Sequence, residues 1–300
     1  MLTDAEEQPA SQEVVADQAS SGGEALYANY CQKCHEGKVA KAPPHSLLAI
    51  MSASSIFNAI ETGIMRSQAA AMDSDQRRVL AEYLTGQKLG SAAIPAPRMC
   101  APGESPFDYG AQPDAVGWGT DLRNRRPVST EVAGLTRGDI PKLQLKWAFS
   151  YPDALRGRSQ PATAGGGLYV GSQNGSVFSL DQKSGCVRWI YKTIAEVRTG
   201  IVVQPWTDST GTDRPMLFFG DLIGHVHAVD AVTGELVWKH RPSYHPSLTL
   251  TAAPVLWKGR LYVPLSALEV TAAADSSYAC CTFKGGVAAY DASSGELIWT

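Results

Sequence analysis

One pattern occurs three times in the second half of the chain. Each copy holds two short apolar segments, then an aspartate, a glycine four residues later and a tryptophan four residues after that. The copies end at Trp189, Trp238 and Trp299, and Trp147 has the position expected for the last strand of an earlier copy. We expect each copy to form three strands, the last of which ends at its tryptophan. Repeats of this kind predict an incomplete all-β propeller of three to four blades, with an open β-sandwich as the alternative.

Residues 24–88 have the pattern of a small all-α domain. Apolar residues at helical spacing predict a first helix that runs into Cys31. A second helix is predicted from Leu47 to Ile60. A third begins after Asp73, which can cap it, and ends at Gly86, which suits a left-handed C-terminal turn.

A haem-attachment motif lies at the end of the first predicted helix. Cys31, Cys34 and His35 have the spacing i, i+3 and i+4, so they share one face of a helix. Both thiols can add to the haem vinyl groups while the imidazole ligates the iron from the same side. Zinc or a redox-active cysteine pair would not need the adjacent histidine, and no second Cys-x-x-Cys occurs nearby in the sequence. The segment therefore predicts a covalently attached c-type haem.

The second axial ligand of this haem must come from residues 36–88. Met65 is the predicted ligand, because it lies in a loop before the third helix and can reach back over the haem. His45 is the alternative. Met51 falls in a predicted helix and Met72 precedes the Asp73 cap, so both are expected to pack in the core. A thioether ligand raises the haem potential, which suits an electron acceptor.

The remaining segments are a linker and a tail. Residues 89–117 contain five prolines and predict a linker that runs over the surface of both domains. Residues 1–23 predict a disordered acidic tail without the basic and apolar regions of a signal peptide. We therefore expect that the chain starts further upstream or that an export signal has been removed.

Charge and hydropathy exclude two classes of function. The formal net charge of -3 lacks the basic excess typical of a nucleic-acid binder. No apolar stretch approaches the roughly 18 residues that a membrane span needs. The six cysteines include four outside the haem motif, and two disulfides among these would require an oxidising compartment.

The combination of a c-type haem with a tryptophan-motif propeller resembles the quinohaemoprotein alcohol dehydrogenases, and most closely the branch that oxidises polyvinyl alcohol. The order of haem domain, Pro-rich linker and propeller is the same. The resemblance is carried by Asp139–Trp147, Ser184–Trp189, Arg198–Thr199, Gly259–Ser266 and Cys280–Gly285.

The resemblance implies an eight-bladed propeller with pyrroloquinoline quinone (PQQ) and Ca²⁺ at its axis. Such enzymes oxidise alcohols, and the reduced quinone passes electrons singly to the haem. This chain departs from the pattern because it ends at Thr300, directly after the third repeat. We expect a truncated fragment, or blades supplied by another chain, with an open edge that favours aggregation. The catalytic aspartate and further calcium ligands are expected beyond Thr300.

Two cysteine pairs are predicted outside the haem motif. A bond between the neighbours Cys280 and Cys281 would close a small strained ring, because their α-carbons are only about 3.8 Å apart across a trans peptide. In the resembling enzymes such a ring lies against the quinone face; two independent buried thiols are the alternative. We predict that Cys100 pairs with Cys186 and pins the linker to the propeller, unless both are free and buried.

Several polar residues are candidates for the quinone site. The resemblance implies that Glu269, predicted at a strand end, ligates Ca²⁺, for which a carboxylate is suitable; a solvated glutamate is the alternative. Arg198 and Thr199, at a predicted strand start, could pair with quinone carboxylates, or Arg198 could lie at the surface.

The histidines of the repeat region carry no metal-site pattern. His225 and His227 alternate along one strand, which we interpret as half-exposed. His240 and His245 fall in a predicted loop.

The sequence leads to one main functional hypothesis. The chain is expected to be the N-terminal portion of a periplasmic or secreted PQQ-dependent dehydrogenase that oxidises secondary alcohol groups, including those of a polymer. Its haem, held by His35 and Met65, would pass electrons to a soluble cytochrome or an oxidase. The rivals are a non-enzymatic electron carrier whose propeller is a docking module, and an inactive fragment that only binds haem.

Overall fold

The computed structural model describes residues 22–36, 39, 42–90, 96–113, 117–119, 128–154, 156–207, 214–273 and 277–300. The chain divides into two compact units, Met1–Ser91 and Ala92–Thr300. Of the predicted tail, only residues 22–23 are described, and they begin the first helix. No helix among the described residues is long and apolar enough to cross a membrane.

The first unit is helical. Its helices are α1 (22–30), α2 (Gln32–His35), α3 (His45–Leu48), α4 (Ala53–Glu61) and α5 (Ser74–Thr85). The prediction of one helix from Leu47 to Ile60 was wrong. Ser52 adopts an extended backbone and its hydroxyl accepts the amide of Ser55 at 3.1 Å, so a new helix begins there.

The predicted ends of the last helix of this unit are confirmed. Asp73 accepts a hydrogen bond from the amide of Gln76, whose side chain accepts the amide of Asp73. Gly86 ends α5 with a φ of 64°. Leu47 and Leu80 are fully buried and form the centre of the unit.

The described residues of the second unit form three antiparallel sheets that follow one another along the chain. A short helix α6 (Thr130–Ala133) and a 3₁₀ turn (Ile140–Lys142) precede them. Blade 1 consists of β1 (Ala162–Ala164), β2 (Gly167–Gly171), β3 (Ser176–Asp181) and β4 (Val187–Lys192). Blade 2 consists of β5 (Val202–Val203), β6 (Met216–Gly220), β7 (Val226–Asp230) and β8 (Leu236–His240). Blade 3 consists of β9 (Leu248–Thr249), β10 (Val255–Trp257), β11 (Arg260–Ala267), β12 (Gly286–Asp291) and β13 (Leu297–Trp299), with a helix α7 (Glu269–Ala272) between β11 and β12.

The prediction of propeller blades is confirmed, but blades 1 and 2 have one extra strand each and blade 3 has two. The strands β1, β5, β9 and β10 were missed because two or three residues are too few to show a period. Trp189 and Trp238 lie inside β4 and β8 rather than at their ends. Trp147 lies in an extended segment to which no strand is assigned.

The tryptophans join consecutive blades. Each indole ring lies against the glycine of the next repeat, so Trp147 meets Gly185, and Trp238 meets Gly295. The indole Nε1 of Trp147 also donates to the carbonyl of Gln182 at 3.1 Å. Apolar clusters fill the spaces between blades, and one of them joins Phe218 of blade 2 to Tyr290 of blade 3. The repeated Asp, Gly and Trp positions therefore stack the sheets as blades.

Residues 96–113, here called the strap, pack along blade 1. The amide of Val187 donates to the carbonyl of Arg98 at 2.9 Å, and the amide of Asp108 donates to the carbonyl of Gly165 at 3.0 Å. Further along, the indole of Trp206 in blade 2 donates to the carbonyl of Tyr109 at 2.8 Å. The prolines of this segment stop it from forming a regular element, but its backbone is paired with the blades.

Candidate functional site

The haem motif lies where α1 gives way to α2. The amides of Cys34 and His35 both donate to the carbonyl of Cys31, at 3.1 and 3.0 Å, so the three residues lie on one helical turn. Nδ1 of His35 is 2.6 Å from the carbonyl oxygen of Pro43. This contact assigns the proton to Nδ1 and leaves Nε2 with a lone pair for a metal. A residue outside the motif, Pro43, thus orients the His35 ring for ligation of the iron.

The two thiols of the motif are unbonded in the structure. Burial and the neighbouring Cys34 raise the pKa of the Cys31 thiol to about 11. A redox-active cysteine has a lowered pKa instead, so this environment disfavours the alternative of a redox-active pair. Among the described residues, the one group of three possible metal ligands within 4.8 Å is Cys100, Glu104 and Cys186, and its two sulfurs form a disulfide.

The candidates for the second axial ligand differ in burial. Met51 and Met72 are buried in the core, as predicted from their positions. Met65 is half-buried in the turn region between α4 and α5, where its amide donates to the carbonyl of Ala59 at 2.9 Å. His45 lies against Tyr27, with 4.7 Å between the ring centroids. Met65 stays the predicted ligand, since it is the methionine that the core does not enclose.

The candidate quinone residues share one end of the blades. Connections in an antiparallel sheet alternate between its two ends, so the β2–β3, β6–β7 and β11–β12 connections lie at the same end as those that leave β4 and β8. Hydrogen bonds join them: the amide of Leu222 donates to the carbonyl of Glu196, and that of Leu268 donates to the carbonyl of Ser247. We call this set the site end; it comprises 172–175, 193–201, 221–225, 241–247, 268–273 and 277–285.

Arg198 lies at the site end in a loop, not at a strand start as predicted. One of its terminal nitrogens is 2.6 Å from the buried carboxylate of Glu196, which Arg158 also approaches at 3.7 Å. Two guanidinium groups thus share one carboxylate. Burial lowers the pKa of Arg198 while Glu196 opposes that shift. Its Nε is buried and has no hydrogen-bond partner, so the side chain retains a donor for an anionic group.

Thr199, the other predicted quinone contact, uses its hydroxyl in hydrogen bonds to the backbone. Its hydroxyl accepts the amide of Gly220 at 3.0 Å and is 3.3 Å from the carbonyl of the same residue. The side chain is 1% exposed. Thr199 therefore fastens the loop of Arg198 to β6, and its hydroxyl is not available to a ligand.

The vicinal cysteines lie in the β11–β12 connection. Cys280 and Cys281 are bonded to each other and are exposed, so the alternative of two buried thiols is not what the structure has. Cys100 and Cys186 form the second predicted pair and tie the strap to blade 1.

Glu269 begins α7, two residues after β11 ends, rather than ending a strand. Its carboxylate is buried and accepts hydrogen bonds from Tyr278, Thr282 and Phe283. Burial alone would raise the pKa of Glu269, but these hydrogen bonds lower it to about 2. The carboxylate is thus ionised and partnered, which excludes the alternative of a solvated glutamate.

The interpretation of a half-exposed strand at His225 and His227 was wrong. All of β7 is buried, and His227 lies between blades 1 and 2. Its Nε2 is 3.0 Å from Asp221, and its Nδ1 is 3.0 Å from the hydroxyl of Tyr191. His225 also contacts Asp221, at 3.2 Å. Sequence reasoning missed this cluster because Tyr191 belongs to another repeat. The one signal that the sequence offered was an aspartate, Asp221, four residues before His225.

The buried cluster has strongly shifted acidities. Burial alone would raise the pKa of Asp221, but hydrogen bonds from the two histidines hold it well below its usual range. Burial lowers the pKa of His227 although Asp221 opposes the shift. Burial and the charge of Asp221 raise the pKa of Tyr191 to about 12. A neutral His227 that donates to Asp221 and accepts from Tyr191 satisfies all three groups.

Two other histidines have assigned positions. His240 ends β8 and stacks on Tyr290, so its prediction as a loop residue was wrong. His245 lies in the loop after β8, as predicted, and its Nε2 is 3.0 Å from the hydroxyl of Thr282.

Comparison with known families decides the assignment of the β-rich unit. Residues 129–300 match the model of the PQQ-type β-propeller domain of glucose, ethanol and alcohol dehydrogenases. The chain belongs to the PQQ dehydrogenase propeller family. Residues 18–84 match a cytochrome family described as cytochrome c oxidase, cbb3-type, subunit III. This PQQ propeller thus follows a cytochrome c domain in one chain, as the sequence resemblance predicted.

Among curated proteins, the chain is 31% identical to polyvinylalcohol dehydrogenase from Sphingopyxis sp. (strain 113P3), over 95% of this chain and 45% of that protein. It is also 31% identical to polyvinylalcohol dehydrogenase from a Pseudomonas species, over 92% of this chain and 45% of that protein. The chain thus spans about half the length of these relatives. The solved structure of quinohemoprotein alcohol dehydrogenase from Comamonas testosteroni superposes with a TM-score of 0.46 at 21% identity, over 61% of this chain and 26% of that one.

A cytochrome c domain implies haem c, and a PQQ propeller suggests PQQ with Ca²⁺. Cys31, Cys34 and His35 fit a haem, because the thiols are unbonded and Nε2 of the histidine is available. The orphan Nε of Arg198 fits a quinone carboxylate. Glu269 does not fit a bidentate calcium ligand, because three protein donors already contact Oε1 of its carboxylate.

Proposed function

We propose that this chain is the haem-bearing N-terminal portion of a periplasmic or secreted PQQ-dependent dehydrogenase. Its proposed substrates are secondary alcohol groups, including those of polyvinyl alcohol, and its proposed electron acceptor is a soluble cytochrome or an oxidase. One observation carries the proposal: a haem-attachment turn with an oriented His35 and a propeller end with a vicinal cysteine pair occur in the same chain. The polymer substrate is suggested by the names of the relatives.

The proposed roles divide between the two units. When bound, PQQ supplies a two-electron oxidation of the alcohol, and the haem accepts the electrons one at a time. His35 is proposed to hold the iron from one side and Met65 from the other, which raises the haem potential. Arg198 is proposed to pair with a quinone carboxylate, and the exposed Cys280–Cys281 pair to lie against the quinone ring.

The quinone site can be tested without turnover. We would titrate the haem-loaded intact protein that carries this chain with PQQ in the presence of Ca²⁺ and follow the quenching of tryptophan fluorescence. Arg198→Ala should weaken binding by roughly tenfold or more, because a charge-assisted hydrogen bond is worth about 1.5–3 kcal/mol. Arg260→Ala is the matched control, since Arg260 is exposed and begins β11 at the opposite end of the blade.

The two outcomes separate the proposal from its rival. Saturable binding that Arg198→Ala weakens and Arg260→Ala leaves unchanged supports a quinone site at this end of the blades. An intact protein that attaches haem but does not bind PQQ overturns the proposal in favour of an electron carrier with a docking propeller.

A further inference from the structure

The carboxylate of Glu269 is the centre of the β11–β12 connection. Glu269 is 4% exposed. Its Oε1 accepts from the hydroxyl of Tyr278, the amide of Thr282 and the hydroxyl of Thr282, each at 2.8 Å. Its Oε2 accepts from the amide of Phe283 at 2.9 Å. These donors come from both sides of Cys280 and Cys281, so one carboxylate holds the two segments that enter and leave the cysteine pair.

This arrangement leaves little of the carboxylate for a metal. A carboxylate offers roughly four acceptor positions, and four protein donors contact this one. Calcium prefers carboxylate oxygens whose lone pairs face the ion. A calcium ion bound by both oxygens of Glu269 would therefore have to displace donors from Oε1, and only Oε2, which accepts one hydrogen bond, retains a free acceptor position.

A second contact supports the loop from the preceding blade. Nδ1 of His245 accepts the amide of Ser247 at 3.2 Å, which assigns the ring proton to Nε2. Nε2 can then donate to the hydroxyl of Thr282 at 3.0 Å, and that hydroxyl donates onward to Glu269. The ring of His245 also contacts the ring of Phe283, with 5.1 Å between centroids. Every donor in this series of hydrogen bonds, from Ser247 to Glu269, has an acceptor. The position of the loop is therefore fixed both by α7 and by the segment after β8.

We propose that Glu269 is the positioning residue of the vicinal cysteine pair rather than a calcium ligand. Its carboxylate clamps the segments on either side of Cys280–Cys281, and His245 braces the clamp from blade 2. The contact of this pair with a quinone rests on the function proposed above, whereas the clamp does not. Loss of the clamp should therefore change the exposure and reactivity of the cysteines in the absence of any quinone.

Glu269→Gln tests the clamp with little change of shape. The amide NH₂ replaces an acceptor and faces a backbone N–H or a hydroxyl donor, so at least one hydrogen bond is lost. In the full-length chain we expect amide hydrogen exchange in a peptide covering 277–285 to speed up by about tenfold or more. Glu296→Gln is the matched control, because Glu296 is exposed in the turn before β13 of the same blade. It should leave this exchange unchanged.

A chemical measurement separates positioning from a general loss of stability. The rate at which a phosphine reduces Cys280–Cys281, read by mass spectrometry after alkylation, should rise several-fold in Glu269→Gln, while Cys100–Cys186 in the same sample should react as in the parent chain. If Glu269→Gln fails to fold, Tyr278→Phe removes one donor and should raise both rates by a smaller factor. Rates equal to those of the parent chain in a folded variant overturn the proposal.

Calcium titration tests the alternative that Glu269 ligates Ca²⁺. Weaker binding of Ca²⁺ by Glu269→Gln, with unchanged hydrogen exchange and cysteine reactivity, assigns the residue to the metal and overturns the clamp. Faster exchange in a chain that does not bind PQQ supports the clamp and contradicts only the proposed quinone function.

Discussion

The indole ring of Trp189 lies on the α-carbon of Gly234 in the next blade, so close that a Cβ at position 234 would be 2.7 Å from the ring. Its Nε1 donates to the carbonyl of Ala231 at 3.2 Å. Glycine is required at position 234 for two reasons. The indole ring leaves no room for a side chain, and a φ of 77° is a conformation that other residues rarely adopt. This contact explains why Gly and Trp recur at fixed positions in the repeats.

Gly234→Ala should destabilise the propeller by roughly 2–4 kcal/mol, since overpacking adds to the strain of a positive φ. Gly259→Ala is the matched control: its φ is 73°, but nothing lies within 4 Å of an added Cβ. It should cost about 1 kcal/mol. Denaturant unfolding followed by tryptophan fluorescence measures both. Equal losses for the two variants would show that the indole contact adds nothing.

The blade repeat was predictable because the residues of each Asp-Gly-Trp turn are close in sequence and recur at fixed spacing. Asp181, for example, accepts the amides of Lys183 and Ser184, a local contact that sequence spacing reveals. The short strands β1, β5, β9 and β10 and the burial of His227 were not predictable, since both depend on packing against another blade. The break at Ser52 was missed because the apolar period continues across it.

Asp181 should make the stability of the propeller unit depend on acid pH. Burial alone would raise the pKa of this carboxyl, but hydrogen bonds from Ser105 and Ser184 lower it to about 2. A lowered pKa in the folded state contributes stability that is present above the unfolded pKa near 4 and is lost as pH falls toward 2. The contribution is roughly 2 kcal/mol.

Asp181→Asn should lower stability at pH 7 and flatten its decline between pH 4 and pH 2. Thermal unfolding by circular dichroism at several pH values measures this. Glu235→Gln, at an exposed position in the equivalent turn of blade 2, serves as the control. A decline in Asp181→Asn as steep as in the parent chain would refute the assigned role of Asp181.

The Cys100–Cys186 disulfide should stabilise the strap. It joins residues 86 positions apart, for which loop-closure entropy corresponds to about 4.6 kcal/mol. The double variant Cys100→Ser/Cys186→Ser should lose up to that amount in denaturant unfolding, and the strap should become sensitive to protease. A parent chain that yields alkylated Cys100 without prior reduction would contradict the pairing.

Met65→Ala should lower the haem potential and open the iron to added imidazole, because the thioether is replaced by a weaker or exchangeable ligand. Met51→Leu and Met72→Leu are the controls; both residues are buried, so their replacement should leave the potential unchanged. Potentiometric titration and imidazole binding read the result. If His45→Ala reproduces the expected effect and Met65→Ala does not, the second ligand is His45.

The candidate site was predictable only in part. Cys31, Cys34 and His35 are neighbours in sequence, so their chemistry follows from spacing. The role of Pro43 as acceptor for His35 was not visible, because a carbonyl carries no sequence signature. Arg198 was identified as a candidate, but its buried partner Glu196 and its orphan Nε emerged only from packing. Glu269 was identified only as a calcium ligand implied by the resemblance, and its four donors became visible only once the loop was folded.

Alcohol-dependent reduction of the haem tests the central claim most directly. The intact protein that carries this chain, supplied with PQQ and Ca²⁺, would be mixed anaerobically with a secondary alcohol while the absorbance of the haem is followed. We predict that the haem becomes reduced when PQQ and alcohol are both present and stays oxidised when either is omitted. A haem that stays oxidised with both present, although dithionite still reduces it, would contradict the account.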